Sequence, residues 1–217
     1  KLAKLRELGI DPFGERYEVS ATPGELRANF EEGKAVKIAG RITALRDMGK
    51  SVFFQLGDVL GSIQGYVGVK NLSEEQAAAW KCLDRGDWIG IEGETFLTRT
   101  GEPTVKVESF TVLSKALRPM PDKFHGLSDR ETKYRKRHLD LMGNPESAAL
   151  FVTRSLMLAE IRRFLQDRGF LEVETPMLQD IPGGAAARPF ETHHNALGMP
   201  LTLRIAPELF LKRLLVG

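Results

Sequence analysis

The sequence predicts an α+β protein in two parts, a small all-β barrel followed by a mixed helical and β region. Between residues 34 and 113 the apolar side chains recur with a period of two, which indicates strands. From residue 144 onward a long helical pattern is followed by short strands and a Gly/Ala-rich stretch. Residues 114–143 contain closely spaced Pro and Gly and lose the apolar period, which indicates a linker and hinge.

The composition excludes several classes of protein. Hydrophobic residues make up 42% and charged residues 28% of the 217 residues, which is typical of globular and not of disordered chains. No apolar run approaches the roughly 18–20 residues that cross a bilayer, so we expect no membrane association. Cys82 has no partner for a disulfide or a zinc site, which favours a reducing compartment and a cytoplasmic location.

Charge and termini set two further expectations. The net charge is only +2, from 31 basic and 29 acidic residues, so any site for a polyanion must be local. The chain lacks an initiator Met and stops within an apolar run at residues 209–217. We therefore expect a segment of a longer protein.

The first predicted elements are two short helices in an N-terminal extension, residues 1–33. One spans residues 2–8 and is closed by Gly9. The other begins at Thr22 and Pro23, with Thr as the N-cap and Pro in the first helical position.

The barrel region, residues 34–113, is predicted to hold three strands, a helix and two more strands. This element order is that of an OB-fold, a small Greek-key barrel that binds oligonucleotides. The predicted strands span residues 36–42, 52–56, 63–67, 88–97 and 104–113, with the helix at residues 73–82.

After the linker the pattern is mixed. Residues 128–131 read as a capping box that opens a short helix. A longer helix is predicted over residues 144–168 with Gly169 as its C-cap, then strands at 170–174 and 201–205 and a helix from Pro207. The side chains of the long helix expected to be buried are those of Leu150, Ile161, Phe164 and Leu165.

Side-chain alternation singles out Phe53. If Val52, Phe54 and Leu56 face the barrel core, Phe53 faces out, and by the same count Gln64 does too. An outward aromatic ring beside an outward amide suits single-stranded nucleic acid, because the ring stacks on a base and the amide reads its edge. The alternative is that Phe53 packs under the helix at residues 73–82 and Gln64 is merely solvated.

Arginines near this pair are candidates to hold phosphates or bases. Arg41, on the preceding predicted strand, and Arg46, just after it, are these candidates. A second basic cluster, residues 133–138, is expected mainly to form ion pairs on a solvated helix face. Contact with an RNA backbone is the alternative.

Two features of the C-terminal part raise the question of a ligand. His193 and His194 are adjacent and would point in opposite directions on a strand, so we do not expect a metal site. Glu208 follows Pro207 in the first turn of a predicted helix, near a Gly-rich stretch. It is either a helix-end charge or a fixed anion for an ammonium group.

Several segments resemble lysyl-tRNA synthetases. Residues 169–176 (GFLEVETP) are similar to motif 1 of class II synthetases, whereas two later segments are specific to the lysine enzymes. The segments that carry the resemblance are residues 46–50 (RDMGK), 115–119 (KALRP), 121–127 (PDKFHGL), 134–141 (YRKRHLDL), 169–176, 181–190 (IPGGAAARPF), 192–195 (THHN) and 204–209 (RIAPEL).

The resemblance implies a fold and a nucleic-acid site. It implies an OB-fold anticodon-binding domain, then the start of an antiparallel-sheet catalytic domain, residues 144–217. Phe53 would stack on the central anticodon uridine of tRNA(Lys), with Gln64 and Arg46 bonding its base. Glu108 would read a neighbouring anticodon base.

The resemblance also implies an enzyme. Lysine would react with ATP to give lysyl-adenylate and then pass to tRNA. Gly184 and Glu208 would hold the lysine, Glu208 through its α-ammonium. The motif 1 helix and Pro176 would form a homodimer interface.

The sequence lacks the parts of the family that carry the chemistry. Motifs 2 and 3 and the ligands of Mg²⁺ are expected beyond residue 217, so no catalytic residue and no metal ligand are assigned here. The segment alone is expected not to aminoacylate. Two alternatives stay open: a non-enzymatic OB-fold RNA-binding protein, and an aspartyl- or asparaginyl-type class II synthetase.

Overall fold

The computed structural model describes residues 1–14, 16–59, 61–120, 127 and 129–217. The chain divides into two compact units, residues 1–145 and residues 146–217. Each unit is described by itself below.

Five strands of the first unit close into a barrel, in the order β1-β2-β3-β5-β4. All neighbours are antiparallel except β3 and β5, which run parallel. The predicted order of three strands, a helix and two strands is confirmed. The elements are α1 (Leu2–Glu7), α2 (Pro23–Ala28), β1 (Ala35–Asp47), β2 (Ser51–Gly57), β3 (Ser62–Gly68), a 3₁₀ turn (Val69–Asn71), α3 (Glu74–Trp80), β4 (Trp88–Leu97) and β5 (Pro103–Ser114).

The barrel core follows the predicted alternation. Val52, Phe54 and Leu56 of β2 are buried, while the residues between them are partly exposed. The Phe54 ring lies 5.3 Å from the ring of Trp80, the last residue of α3, so this helix closes one end of the core. Burying an aliphatic or aromatic side chain stabilises a fold by roughly 1.5–3 kcal/mol, so the inward row of β2 contributes substantially to barrel stability.

The N-terminal helices pack on the barrel. Leu5 of α1 and Leu26 of α2 are buried in the same hydrophobic cluster as the strands. The predicted N-cap Thr22 is confirmed: its hydroxyl accepts from the Glu25 N–H, and the Glu25 carboxylate accepts from the Thr22 N–H. This capping box satisfies backbone donors that the helix itself leaves unpaired.

A buried ion pair ties the start of the linker to the barrel. The Lys115 ammonium donates to both carboxylate oxygens of Asp87 at 3.0 Å and to Asp84 at 2.9 Å. Burial lowers the pKa of Lys115, but the hydrogen bonds and charges of the two aspartates outweigh it and raise the pKa above its ordinary value. Lys115 is therefore charged at neutral pH, and the first linker residue after β5 is held against the loop before β4.

Two short helices follow in the linker, α4 (Arg130–Arg135) and α5 (Arg137–Gly143). The predicted capping box starting at Ser128 is not what opens α4, because Asp129 is its N-cap and accepts from the Thr132 N–H at 2.7 Å. Ser128 lies outside the described residues. Asp129 takes the role because its carboxylate is an acceptor one residue closer to the first helical turn.

The basic cluster at residues 133–138 forms the expected ion pairs. Arg135 donates to Glu131 at 2.7 Å, and Arg137 donates to the buried Asp140 at 2.6 Å. The Arg130 and Arg137 guanidinium groups lie 5.6 and 5.2 Å from the centre of the Tyr134 ring. The predicted ion pairs on a helix face therefore account for Arg135 and Arg137.

The second unit consists of a long helix, a small antiparallel sheet and a short helix. The sheet has the order β6-β8-β7. As predicted, Gly169 ends the long helix, with φ +81° and its N–H bonded to the Gln166 carbonyl. The elements are α6 (Pro145–Gln166), β6 (Leu178–Gln179), β7 (Glu191–His194), β8 (Met199–Leu203) and α7 (Glu208–Leu214).

The strand predicted at residues 170–174 is wrong. These residues form no ladder with any described segment, and a strand exists only where a second backbone supplies hydrogen bonds. Side chains hold the segment instead: Arg162 donates to Glu172 at 3.0 Å, and Arg204 donates to the Thr175 carbonyl at 2.9 Å.

The burial predicted for α6 is also wrong. Leu150, Ile161, Phe164 and Leu165 are 40–67% exposed, and α6 makes no extensive contact with another described element of its own unit. Apolar periodicity identifies which side chains favour burial but not what covers them. Within the described residues, no helix has both the length and the apolarity needed to cross a membrane.

Candidate nucleic-acid interface

The barrel brings four of the sequence-predicted site residues onto one face. We call it the outer face and define it by Arg46, Phe53, Gln64 and Glu108, on β1, β2, β3 and β5. Arg46 is paired directly with Phe53, and both Gln64 and Glu108 lie on the outward side of their strands. Arg46, Phe53 and Gln64 lie within two strand spacings of about 4.8 Å and two residues of one another. Glu108 lies two residues beyond Lys106 on β5 and is therefore closer to a neighbouring nucleotide.

Phe53 faces outward, as the alternation predicts. Its ring is partly exposed and lies 5.0 Å from the ring of Tyr66, its partner in register on β3. The alternative in which Phe53 packs under α3 is wrong, because the ring against Trp80 of that helix belongs to Phe54. Phe53 thus keeps part of its ring exposed on the outer face, next to Tyr66.

Gln64 is held by a hydrogen bond rather than merely solvated. Its Nε2 donates at 3.0 Å to Oγ1 of Thr104, the residue paired with it on β5. On its other side lies Gln55 of β2, also in register, whose Oε1 is buried and has no hydrogen-bond partner in the described part of the chain. The Gln55 and Gln64 amides thus lie side by side, two residues along their strands from Phe53 and Tyr66.

Glu108 owes its direction to a β-bulge. On β4, Glu92 pairs with Ser109 and the next residue, Gly93, pairs with Val107, so Glu108 is the extra residue on β5. A bulge twists the strand locally and re-aims the side chain of the extra residue. A Cβ on Gly93 would lie 2.0 Å from the Lys106 carbonyl oxygen, so the two backbones meet this closely only because position 93 is glycine.

Three further residues lie next to the four that define the outer face, and the sequence reasoning missed them. Tyr66 and Lys106 extend the Arg46–Phe53 row across β3 and β5, and Phe96 of β4 lies 6.1 Å from the Tyr66 ring. Alternation contained part of the signal, because an outward Gln64 implies an outward Tyr66. The Lys106 and Phe96 placements needed the strand pairing.

Arg41 does not belong to this face. It pairs with Gly57, four residues along β2 from Phe53, and its guanidinium lies 5.3 Å from the centre of the Trp88 ring. Burial lowers the pKa of Arg41. The sequence placed Arg41 near Phe53, and the expectation fails because four residues of strand span about 13 Å.

In the second unit, Gly184 lies against the segment that enters α7. It has φ +92°, and a Cβ there would meet the Ala206 carbonyl oxygen at 3.2 Å. Position 184 therefore requires glycine both for its conformation and for the close approach. Gly184 therefore lies against Ala206, which precedes Glu208 by two residues.

Glu208 is an exposed carboxylate with a local partner. Its Oε1 accepts from Lys212 Nζ at 2.5 Å, one helical turn later. That hydrogen bond and the lysine charge lower the pKa of Glu208. The Glu208 carboxylate is therefore ionised at neutral pH. Its lowered pKa is caused by Lys212 and not by the helix N-terminus that the sequence suggested.

Other candidates of this unit remain apart. Pro176 is exposed and follows Thr175, which Arg204 holds. His194 Nδ1 accepts from the Leu197 N–H in the turn after β7. Among the described residues, no three His, Cys, Asp or Glu side chains come together as metal ligands.

Two family models match the chain. Residues 36–113 match the OB-fold nucleic acid binding domain, and residues 129–217 match the tRNA synthetases class II (D, K and N). The first match covers the barrel with its outer face. The second covers the linker helices and the whole of the second unit. The chain thus contains an OB-fold barrel followed by a region that matches the class II synthetase model, in the order that the sequence predicts.

Curated relatives are similar over the entire chain. Lysine–tRNA ligases of Syntrophomonas wolfei, Pelotomaculum thermopropionicum and Streptococcus suis are 53%, 55% and 53% identical to it. Each alignment covers 100% of this chain but 44%, 43% and 46% of the relative, respectively. The chain therefore spans less than half the length of these relatives and is similar to their N-terminal part.

Proposed function

We propose that this chain, similar throughout to the N-terminal part of lysine–tRNA ligases, supplies the anticodon-binding domain and part of the lysine site of such an enzyme. The whole protein would activate lysine with ATP, releasing pyrophosphate, and transfer it to tRNA(Lys). The observation that carries the proposal is the outer face of the barrel within the region that matches a nucleic acid binding domain.

The outer face has the chemistry that a short single-stranded loop needs. Phe53 presents a ring for stacking, which is worth roughly 1–3 kcal/mol per base. Gln64 supplies an amide to a base edge, and Arg46 and Lys106 supply positive charge for phosphates or bases. Glu108, re-aimed by the bulge, offers an acceptor to a neighbouring base.

The second unit supports the proposed lysine site less directly. Gly184 lets its backbone approach the segment before α7, and Glu208 provides an ionised carboxylate at the start of that helix. On this proposal the α-ammonium of lysine takes the place of Lys212 against Glu208. The model of residues 129–217 covers aspartate, lysine and asparagine enzymes alike, and the three relatives, all lysine–tRNA ligases, favour lysine.

The remaining partners are proposed from the class II family. They are ATP as co-substrate, Mg²⁺ as the counter-ion of its phosphates, tRNA(Lys), and a second copy of the protein bound through α6 and the segment ending at Pro176. We place the protein in the cytoplasm. The described Cys82 is a buried free thiol, which is compatible with that compartment.

Substitution of Phe53 tests the anticodon proposal. We expect Phe53→Ala to weaken binding of the 217-residue chain to an anticodon stem-loop RNA by about 1–3 kcal/mol, since a stacked ring is lost. Binding is measured by fluorescence titration at fixed salt, because phosphate contacts make affinity salt-dependent. The melting temperature should change little, as the ring faces out.

Phe13→Ala is the matched control. Phe13 is 48% exposed and lies outside the barrel strands, so its loss should leave RNA affinity unchanged. Equal effects of the two variants, or a Phe53→Ala chain that melts much earlier with full RNA affinity, would contradict the proposal. A non-enzymatic RNA-binding protein is excluded if the full-length protein shows lysine-dependent pyrophosphate exchange.

A further inference from the structure

Gln64 ends a chain of three hydrogen-bonded groups on the barrel. The Thr104 side chain is fully buried, and its Oγ1 donates to the Glu102 carbonyl oxygen at 3.0 Å. The same Oγ1 accepts from Gln64 Nε2 at 3.0 Å. The Glu102 carbonyl is itself fixed, because it accepts from the Thr98 N–H at 3.1 Å in the turn between β4 and β5.

This series of hydrogen bonds determines which end of the Gln64 amide faces Thr104. A hydroxyl has one hydrogen to donate, and here it goes to the Glu102 carbonyl, which can only accept. Toward Gln64 the hydroxyl is therefore an acceptor and requires the NH₂ end of the amide. With the amide flipped, one hydrogen would face two acceptors. The Gln64 carbonyl oxygen consequently points away from Thr104.

We propose that Thr104 is a positioning residue that sets base selectivity on the outer face by orienting the Gln64 amide. This inference rests on the proposed anticodon-binding function. A carbonyl oxygen presented beside the Phe53 ring selects a base edge that donates. On its Watson–Crick edge uracil offers N3–H to that oxygen, whereas the N3 of cytosine is an acceptor and would oppose it.

Thr104 never has to touch the RNA for this effect. Its side chain is fully buried, is hydrogen-bonded to Gln64, and is paired with Gln64 in the parallel register of β3 and β5. A valine of the same shape would keep the packing but could not accept a hydrogen bond. The Gln64 amide could then turn and present its NH₂ group to the base. Cytosine can accept from this group at N3 and uracil at a carbonyl oxygen, so the contact would no longer distinguish the two bases.

The test compares two anticodon stem-loop RNAs that differ only by U or C at the central anticodon position. Affinities are measured for the 217-residue chain and for Thr104→Val, Thr104→Ser and Gln64→Met. We expect Thr104→Val to reduce the preference for U by about tenfold. Thr104→Ser retains the hydroxyl and should restore the wild-type preference. In the Gln64→Met background, Thr104→Val should change the preference no further.

The outcomes separate this inference from the function on which it rests. Wild-type chain with no preference for the U loop overturns both. Wild-type preference that persists in Thr104→Val overturns the role of Thr104 and leaves anticodon binding standing. A uniform loss of affinity for both loops, with the ratio unchanged, also overturns it, because a merely structural role predicts that result.

A measurement on the wild-type chain covers the case in which Thr104→Val does not fold. The hydrogen bond to Thr104 should slow solvent exchange of one Gln64 side-chain N–H relative to the amide of an exposed glutamine, as observed by ¹⁵N NMR. Rapid exchange of both Gln64 amide hydrogens would overturn the proposed orientation.

Discussion

Phe53 and Phe54 show how adjacent residues take different tasks. Phe54 is 2% exposed and packs against Trp80, while Phe53 lies on the outer face against Tyr66. The alternation of a strand forces this division, and chemistry follows from it: one ring stabilises the barrel and its neighbour is available to a base.

Glu208→Gln tests the lysine site in the full-length protein. A charged acceptor binds an ammonium group more strongly than an amide does, so we expect kcat/KM for lysine in pyrophosphate exchange to fall by at least about tenfold. The melting temperature should hardly move, because the carboxylate is exposed. ATP affinity measured without lysine should change little, since the proposed α-ammonium contact does not involve the phosphates.

Glu131→Gln is the control for this change. Glu131 lies in the first turn of α4 and pairs with Arg135 as Glu208 pairs with Lys212, one turn later. The control should leave lysine kinetics intact. If Glu208→Gln also leaves them intact and only lowers the melting temperature, Glu208 is a helix-end charge and not part of the lysine site.

Among the secondary-structure elements, the bulge between β4 and β5 connects stability to the outer face. Glu108 is its extra residue, and Gly93 lies opposite, in contact with the backbone of Lys106. Bulges let a strand bend and aim one side chain while the rest of the ladder stays paired. The barrel therefore places its acidic candidate through backbone geometry.

Gly93→Ala should disturb both properties. The added Cβ would lie 2.0 Å from the Lys106 carbonyl oxygen, so one strand must move. Overpacking of this kind costs typically about 1–3 kcal/mol, and we expect a loss of at least that size in urea denaturation. RNA affinity of the folded fraction should also fall, since Glu108 is redirected.

Gly57→Ala is the matched strand variant. A Cβ at Gly57 meets only Thr43 Cγ2 at 3.3 Å and softer contacts beyond, so a shift of a few tenths of an ångström accommodates it. If the two variants are equally stable, the close approach at the bulge is not what position 93 requires.

Across the whole chain, the two units differ in how their apolar side chains are covered. The barrel unit buries its apolar rows, whereas α6 exposes much of its apolar surface, including Leu156 at 66% and Met157 at 54%. Exposed apolar area on this scale indicates a surface that another partner covers. For α6 we propose a second copy of the protein, in an isologous contact between two-fold related helices.

Light scattering on the full-length protein tests the dimer. We expect a dimer at micromolar concentration and expect Leu156→Asp to shift it to monomer, because a charge at an apolar interface must be desolvated. Leu117→Asp is the control, as Leu117 is 67% exposed in the linker and should not affect assembly. A wild-type monomer that still aminoacylates would remove the dimer from the proposal. A Leu156→Asp protein that unfolds at every concentration would show that its own chain covers α6.

The sequence by itself determined what depends on neighbours along the chain. The alternation that turns Phe53 outward, the cap at Thr22 and the helix end at Gly169 were all predicted, because each needs only a few consecutive residues. The order of the barrel elements followed from the same local patterns.

Only the tertiary structure decided what depends on distant segments. The pairing of Gln64 with Thr104, the bulge at Glu108 and the separation of Arg41 from Phe53 arise from strand register, which no single segment encodes. For the same reason residues 170–174, though strand-like in sequence, form no strand: backbone hydrogen bonds and the covering of an apolar face both require a second segment in the right place.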